Sequence, residues 1–328
     1  MIARINSATT NARYLAGILL CACVLVLQGC ATPQTADLRT QPPALPSRVE
    51  LASVPYFEQD EYQCGPASLA MVFGAAGKPI EPAQLRPQVY LPGKNGSLQI
   101  EMLAATRRNG FLAYPLAPRL TDLLSEIAAG RPAIVFQNLS FAWYPVWHFA
   151  VAIGYDLPRG EIILRSGPEQ RQVLPLSTFE RTWERGGYWA MLVLPPDQIP
   201  QTATYAQYFE SAFALEQTGQ LINARAAYTA ATQRWPGELG AQMGAGNTAY
   251  AARDFSAAEN AFRTATLKHP DAAIAFNNLA DTLAQQKKYP EALIAAKRAV
   301  ALGGERQAVF EQTLREIEQH MQNATSVR

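Results

Sequence analysis

Few side chains in this sequence can do covalent or acid–base chemistry, so their positions carry the argument. There are four Cys and three His in 328 residues. Only Cys64 and His148 fall within the same stretch, between Val49 and Asp197. Cys64 sits in Gln63-Cys64-Gly65-Pro66-Ala67-Ser68, where Pro66 suits the first turn of a helix because its missing N–H has no partner there. A thiol at a helix start meets the positive end of the dipole and free N–H groups, which favour thiolate. The same N–H groups can hold a developing oxyanion. His148 opens an apolar run, His148-Phe149-Ala150-Val151-Ala152-Ile153-Gly154-Tyr155, and can act as general base. A thiol nucleophile and an imidazole base define acyl-transfer chemistry, with a reactive ion pair at neutral pH as the expectation. An inert core thiol and a satisfied core imidazole are the plain alternatives.

The elements that must hold these groups read as an α+β domain over 49–197. Val54–Phe57 reads as an extended entry. Helices are expected over Gly65–Ala76, with Leu69, Val72 and Phe73 on one face, and over Leu98–Asn109 and Leu120–Ala129. Strands are expected over Ala133–Gln137, His148–Gly154, Glu161–Arg165 and Tyr188–Leu194. Helices first and strands afterwards argue for segregated α+β rather than βαβ units.

Cys64-Gly65-Pro66-Ala67 and His148 through Tyr155 resemble the bacteriocin-processing, double-glycine-leader cysteine peptidases of the papain-like clan. The resemblance implies Cys64 as nucleophile, His148 as general base, and an upstream Gln as second oxyanion donor. The family's Gln stands six before the Cys; Gln59 stands five before it and Gln63 is adjacent, and Gln59 is favoured. The family also carries an Asp on the strand after the His strand, where this chain reads Leu164-Arg165-Ser166-Gly167-Pro168. A hairpin centred near Pro158 sets residue 148 opposite 168 and brings Ser166 close to His148. Asp156 would lie roughly 26 Å along the strand, as a turn residue. Asn138, ending the preceding strand, is the alternative orienter. A neutral orienter implies a slow, selective peptidase. The aromatics from Trp143 to Trp147 fit a substrate groove or a hydrophobic wall equally well.

Residues 1–29 read as a signal peptide: Arg4 and Arg13 precede 14 apolar-rich residues from Tyr14 to Leu27, too few for a span of about 20. Leu27-Gln28-Gly29-Cys30 resembles the lipobox of bacterial lipoproteins, which implies a lipid on Cys30. Thr32, standing where Asp would retain the chain in the inner membrane, points to the periplasmic face of the outer membrane. Residues 30–48, with a Pro-rich stretch, read as a flexible tether. Cys64 is then the single free thiol of the mature chain.

From about Thr204 a 34-residue period appears. Ala224, Ala258 and Ala292 are in phase, as are Ala231, Ala265 and Ala299, while Leu221, Phe255 and Tyr289 form a third set. Small residues at fixed offsets, with Pro236 and Pro270 closing helices, resemble the tetratricopeptide repeat. Three repeats and a capping helix are expected over 205–323, which implies a solenoid holding a peptide or protein partner. The formal net charge of +1 removes the electrostatic case for nucleic acid. One Cys and one His in the domain cannot fill a tetrahedral zinc site, and no glycine-rich phosphate loop is present; no cofactor is expected.

Overall fold

The computed structural model describes residues 32–59 and 62–326. The signal segment and Cys30 lie outside the described residues. Seven antiparallel strands form the main sheet: β1 (Arg48–Glu50), β4 (Leu112–Pro115), β5 (Ala133–Asn138), β6 (Trp147–Asp156), β7 (Glu161–Ser166), β8 (Glu169–Pro175) and β9 (Ala190–Leu194). Their order is β4-β9-β5-β6-β7-β8, with β1 on β6 beyond the end of β5. A separate two-stranded ribbon joins β2 (Tyr90–Leu91) to β3 (Gly96–Ser97).

Strand alternation divides the core into two layers. Ile134, Phe136, Phe149 and Val151 face α2 (Cys64–Ala75), α3 (Pro82–Val89) and α4 (Gln99–Arg108). Ala133, Val135, Ala150 and Ala152 face α5 (Leu120–Ala128) and α6 (Leu176–Arg185). Nine of the first ten residues of α2 are buried, so its position is fixed by packing. Each large aliphatic or aromatic side chain buried there contributes about 1.5–3 kcal/mol. Gly77, at φ +85°, ends the helix in a left-handed turn, with Lys78 N–H donating to Phe73 O.

Several elements depart from the sequence reading. The tether is not free over its middle: Pro33–Thr40 forms a helix, α1, docked on the domain. The buried Glu180 carboxylate accepts from the backbone N–H groups of Gln34 (2.9 Å) and Thr35 (2.7 Å), where the helix dipole favours negative charge. Gln34 also donates to Pro118 O and accepts from Leu120 N–H, and Leu38 is buried. Helix α3 tolerates Pro87 behind a capping box of Glu81 and Gln84. Helix α6 arises from Leu176, Phe179 and Trp183 at helical spacing. Residues 54–57 form no strand.

The C-terminal region is helical: α7 (Tyr205–Gln217), α8 (Leu221–Arg234), α9 (Leu239–Ala251), α10 (Phe255–Lys268), α11 (Ala273–Gln285), α12 (Tyr289–Leu302) and α13 (Gln307–Ser326). Both helix series repeat every 34 residues, starting at 205, 239 and 273 and at 221, 255 and 289. Ala224, Ala258 and Ala292 are fully buried, and Gly244 admits the Tyr228 ring so closely that a Cβ there would meet it at 2.6 Å. The first helical pair does not stand apart. Tyr208, Ala212, Leu215 and Tyr228 belong to the same apolar cluster as Leu112, Tyr114 and Leu192 of the sheet. Tyr114 Oη donates to Gln207 Oε1 at 3.0 Å across that junction.

Candidate active site

The site forms at the end of the sheet where β5 and β7 finish and β6 and β9 begin. Cys64 is the first residue of α2, whose N-cap, Gln63, makes no side-chain capping bond. The first-turn N–H groups are therefore left to the thiol: backbone amides of Phe149, Gly65 and Cys64 itself interact with the sulfur. The Phe149 contact sets the sulfur beside β6, next to His148. There β7 has left β6, the last paired residues being Val151 and Arg165, so the edge of β6 is open.

His148 Nε2 lies 3.0 Å from Ser166 Oγ. The second ring nitrogen, Nδ1, remains for the thiol. For Nδ1 to accept a proton, Nε2 must carry one and donate it to Ser166 Oγ. A β-bulge makes this pairing possible. The β6–β7 register passes from Gly154 opposite Ile163 to Ala152 opposite Leu164, so Ile153 is an extra residue. Without it, Ser166 would oppose Val151 and face the α2 layer instead.

Gln59 is held by its own contacts. Its Oε1 accepts from Gly167 N–H at 2.9 Å and its backbone N–H donates to Gly167 O at 3.3 Å. Its Nε2 donates to Ser68 Oγ at 3.4 Å, so the amide orientation is set and one N–H is left on the cleft side. Ser68 is fully buried, one helical turn after Cys64. The spacing i, i+4 from the nucleophile was a readable signal for it, but sequence reasoning passed it over.

The alternative orienter does not reach the ring. Asn138 opposes Trp147, whereas Gln137 opposes His148, so alternation turns Asn138 to the other face. Its Oδ1 accepts from Ser140 and Val146 N–H and its Nδ2 donates to Phe141 O, tying the 139–146 loop. Asp156 lies at the far end of β6, ion-paired with Arg48.

The electrostatics correct the expected ion pair. Burial pushes the Cys64 thiol up, against the backbone amides that pull it down. Burial likewise drives His148 down, to about 4. Both shifts run toward the neutral forms, thiol and uncharged imidazole, against the ion pair expected from sequence. Sequence could place the helix dipole but not the depth at which the pair is buried.

These groups open on a cleft of about 1040 Å³ lined by Gln59, Cys64, Ser97, Trp147, His148 and Gly186, among others. Ser97, on the β2–β3 ribbon, packs against Gly65, and its buried hydroxyl has no protein partner. Nothing in the sequence singled it out. Among the described residues no three His, Cys, Asp or Glu side chains come together as a metal would require.

Residues 51–191 match the peptidase C39-like family. The middle of the chain thus resembles a peptidase C39-like domain. Residues 243–306 match the tetratricopeptide repeat, covering the second and third repeats. None of the curated proteins matches the chain. Among solved structures, one described as a C39-like peptidase from Bacillus anthracis is 20% identical, with a TM-score of 0.38, covering 45% of this chain and 98% of its own. The TPR2B-domain–pHsp70 complex of yeast Sti1 is 18% identical, with a TM-score of 0.34, covering 35% and 97%. The Yersinia enterocolitica type III secretion chaperone SycD, solved with a peptide of the translocator YopD, is 16% identical, with a TM-score of 0.35, covering 37% and 98%. The two family matches thus cover separate stretches, with α1 and the first helical pair outside both.

Proposed function

We propose that the chain is a membrane-anchored cysteine peptidase that hydrolyses peptide bonds of a peptide or protein held by its repeats. The observation carrying this reading is that Cys64 and His148 line one cleft, with Ser166 Oγ 3.0 Å behind the ring at His148 Nε2. Attack begins from the neutral pair: as the sulfur bonds to the carbonyl carbon, its proton passes to His148 Nδ1. Ser166 Oγ accepts from Nε2–H and keeps the ring turned toward the sulfur. The developing oxyanion takes hydrogen bonds from Cys64 N–H and Gln59 Nε2. His148 then protonates the leaving amine, and the acyl group remains as a thioester. Water, deprotonated by His148, releases the acid and restores the thiol.

A second reading has an observation of its own. The orienter is an uncharged hydroxyl and the resting pair is neutral, which fits a peptidase-like fold retained for binding, with the repeats as an assembly surface. One experiment separates the two. Full-length protein is incubated with a mixture of unfolded polypeptides and new amino termini are mapped by mass spectrometry. Hydrolysis predicts termini that vanish in Cys64→Ala and form more slowly in Ser166→Ala. A wild-type protein that yields no termini, although iodoacetamide modifies Cys64, supports the binding reading.

The anchor belongs to the same proposal: cleavage before Cys30, lipid on its sulfur and amine, and residence on the periplasmic face of the outer membrane. Intact mass of the purified chain tests it, since an unlipidated or uncleaved terminus contradicts it.

A further inference from the structure

The loop between β5 and β6, residues 139–146, carries no charge, and neither do Asn138 and Trp147 that flank it. Trp143 is 81% exposed, Tyr144 66% and Phe141 65%. The loop is nonetheless well tied. Asn138 grips both its limbs, Arg185 donates to Asn138 O at 3.1 and 3.2 Å, and the Phe141 and Trp143 rings stack at 5.5 Å. Pro145, Val146 and Trp147 line the cleft, but Phe141, Trp143 and Tyr144 project beyond that lining and need a different partner.

The start of α1 lies at the same end of the domain. Helix α1 runs antiparallel to α6: Arg39 lies near Gly160, beside the start of α6, while Gln34 and Thr35 bind Glu180 further along it. From Glu180, α6 continues five residues, about 7.5 Å, to Arg185 at the base of the aromatic loop. Gln34 also contacts Pro118 and Leu120, just past the end of β4 that pairs with the start of β9. Two residues, Ala31 and Thr32, separate Cys30 from Pro33, so the three steps reach at most about 11 Å.

We infer that Phe141, Trp143 and Tyr144 insert into the interfacial layer of the bilayer that holds the Cys30 lipid. The peptidase cleft is thereby set at the membrane surface, facing peptide that emerges from it. The inference rests on the lipid anchor of the proposed function. With α1 docked, a lipid on Cys30 is held within about 11 Å of the start of α1 and not at the end of a long tether. Trp and Tyr with an apolar flank favour the headgroup boundary, where one end of each ring is wet and the other apolar. The absence of charge removes the cost of bringing the loop into that layer.

The test uses the full-length lipidated chain in phosphatidylethanolamine–phosphatidylglycerol vesicles, with or without bromine on the acyl chains. Trp143 emission, isolated as the difference between wild type and Trp143→Phe, should be strongly quenched by brominated lipid. Emission from the fully buried Trp183 should be unaffected. Equal quenching in wild type and Trp143→Phe, in protein that floats with the vesicles, overturns the inference and leaves the loop as a lip for protein substrate. A chain whose mass shows no lipid on Cys30 overturns the anchor, and the inference with it. Neither result touches the Cys64 chemistry, which the mapping of new termini decides separately.

Discussion

Replacing Ser166 by Asp should make His148 a stronger base and, through it, the Cys64 thiol more reactive. Ser166 Oγ is 3.0 Å from His148 Nε2, and a carboxylate there would face the imidazolium at 3–4 Å. At an effective dielectric of 20, unit charges 4 Å apart attract by about 4 kcal/mol, equivalent to about three pH units. Burying the new carboxylate offsets part of that, since Ser166 is itself buried, so a rise of about two units is expected. His148 would move from about 4 to about 6. The assay is the pH dependence of iodoacetamide alkylation at Cys64, read by intact mass, beside a histidine NMR titration. Wild type should label slowly at pH 6 and faster only as the pH approaches and passes the ordinary thiol range. Ser166→Asp should label at least tenfold faster at pH 6, about the effect of one unit of thiol shift. An unchanged labelling profile in a folded variant whose His148 titration has moved would refute the coupling of thiol to imidazole. An unmoved titration would refute the placement of Ser166.

Three further outcomes follow from the same contacts. In the unfolded chain His148 binds a proton near 6.5 and in the folded one only near 4; the unfolded state therefore holds more protons in that window, and stability falls as pH drops through it. The loss, about 3 kcal/mol, should be missing in His148→Gln when denaturant midpoints at pH 7.5 and 4 are compared; an equal loss in the variant would contradict it. Gly65→Ala would drive a Cβ into the Ser97 side chain, so we expect about 1–3 kcal/mol of destabilisation and a misplaced thiol, read by melting and by labelling rate. Glu180→Gln removes the charged acceptor at the start of α1, at a cost of about 1.5–3 kcal/mol; trypsin should then cut after Arg39 much faster, and an unchanged cutting rate would show that α1 is held by other contacts.

The parts of the fold that could be read in advance were those whose burial writes a pattern into the chain. Helix α2 and strands β5, β6 and β7 are largely buried around apolar runs, and their bounds fall within a residue or two of expectation. Strand β8 alternates exposed and half-buried residues and is held by backbone pairing to β7, so it left no apolar trace. Helix α1 was invisible because what orders it is Glu180, 145 residues away from Thr35. Cys64 and His148 were legible from their flanks. Ser166 was reached from a hairpin centred at Pro158, whereas the turn itself pairs Asp156 with Glu161; the extra residue Ile153 absorbs the difference. Register at the site thus agreed with an assumption that was wrong at the turn. The direction of the Cys64 shift was not legible, because burial depends on the ribbon and the strand edge that close around it.

The apolar seam joining α7 and α8 to β4 and β9 also bears on how such a chain can be lengthened or pulled. Tension applied at the C-terminal end would peel the outer repeats first, since their contacts reach only to adjacent modules. It would then meet a body in which the first helical pair and the sheet resist together. Insertion of a further 34-residue module is accordingly tolerable after Trp235, in the turn between α8 and α9, and disruptive before Tyr205. A fragment ending near Asp197 would strip the helical cover from β4, where Tyr114 binds Gln207. The α+β domain is therefore best expressed with its first repeat attached, as one mechanical unit from which the rest of the array hangs.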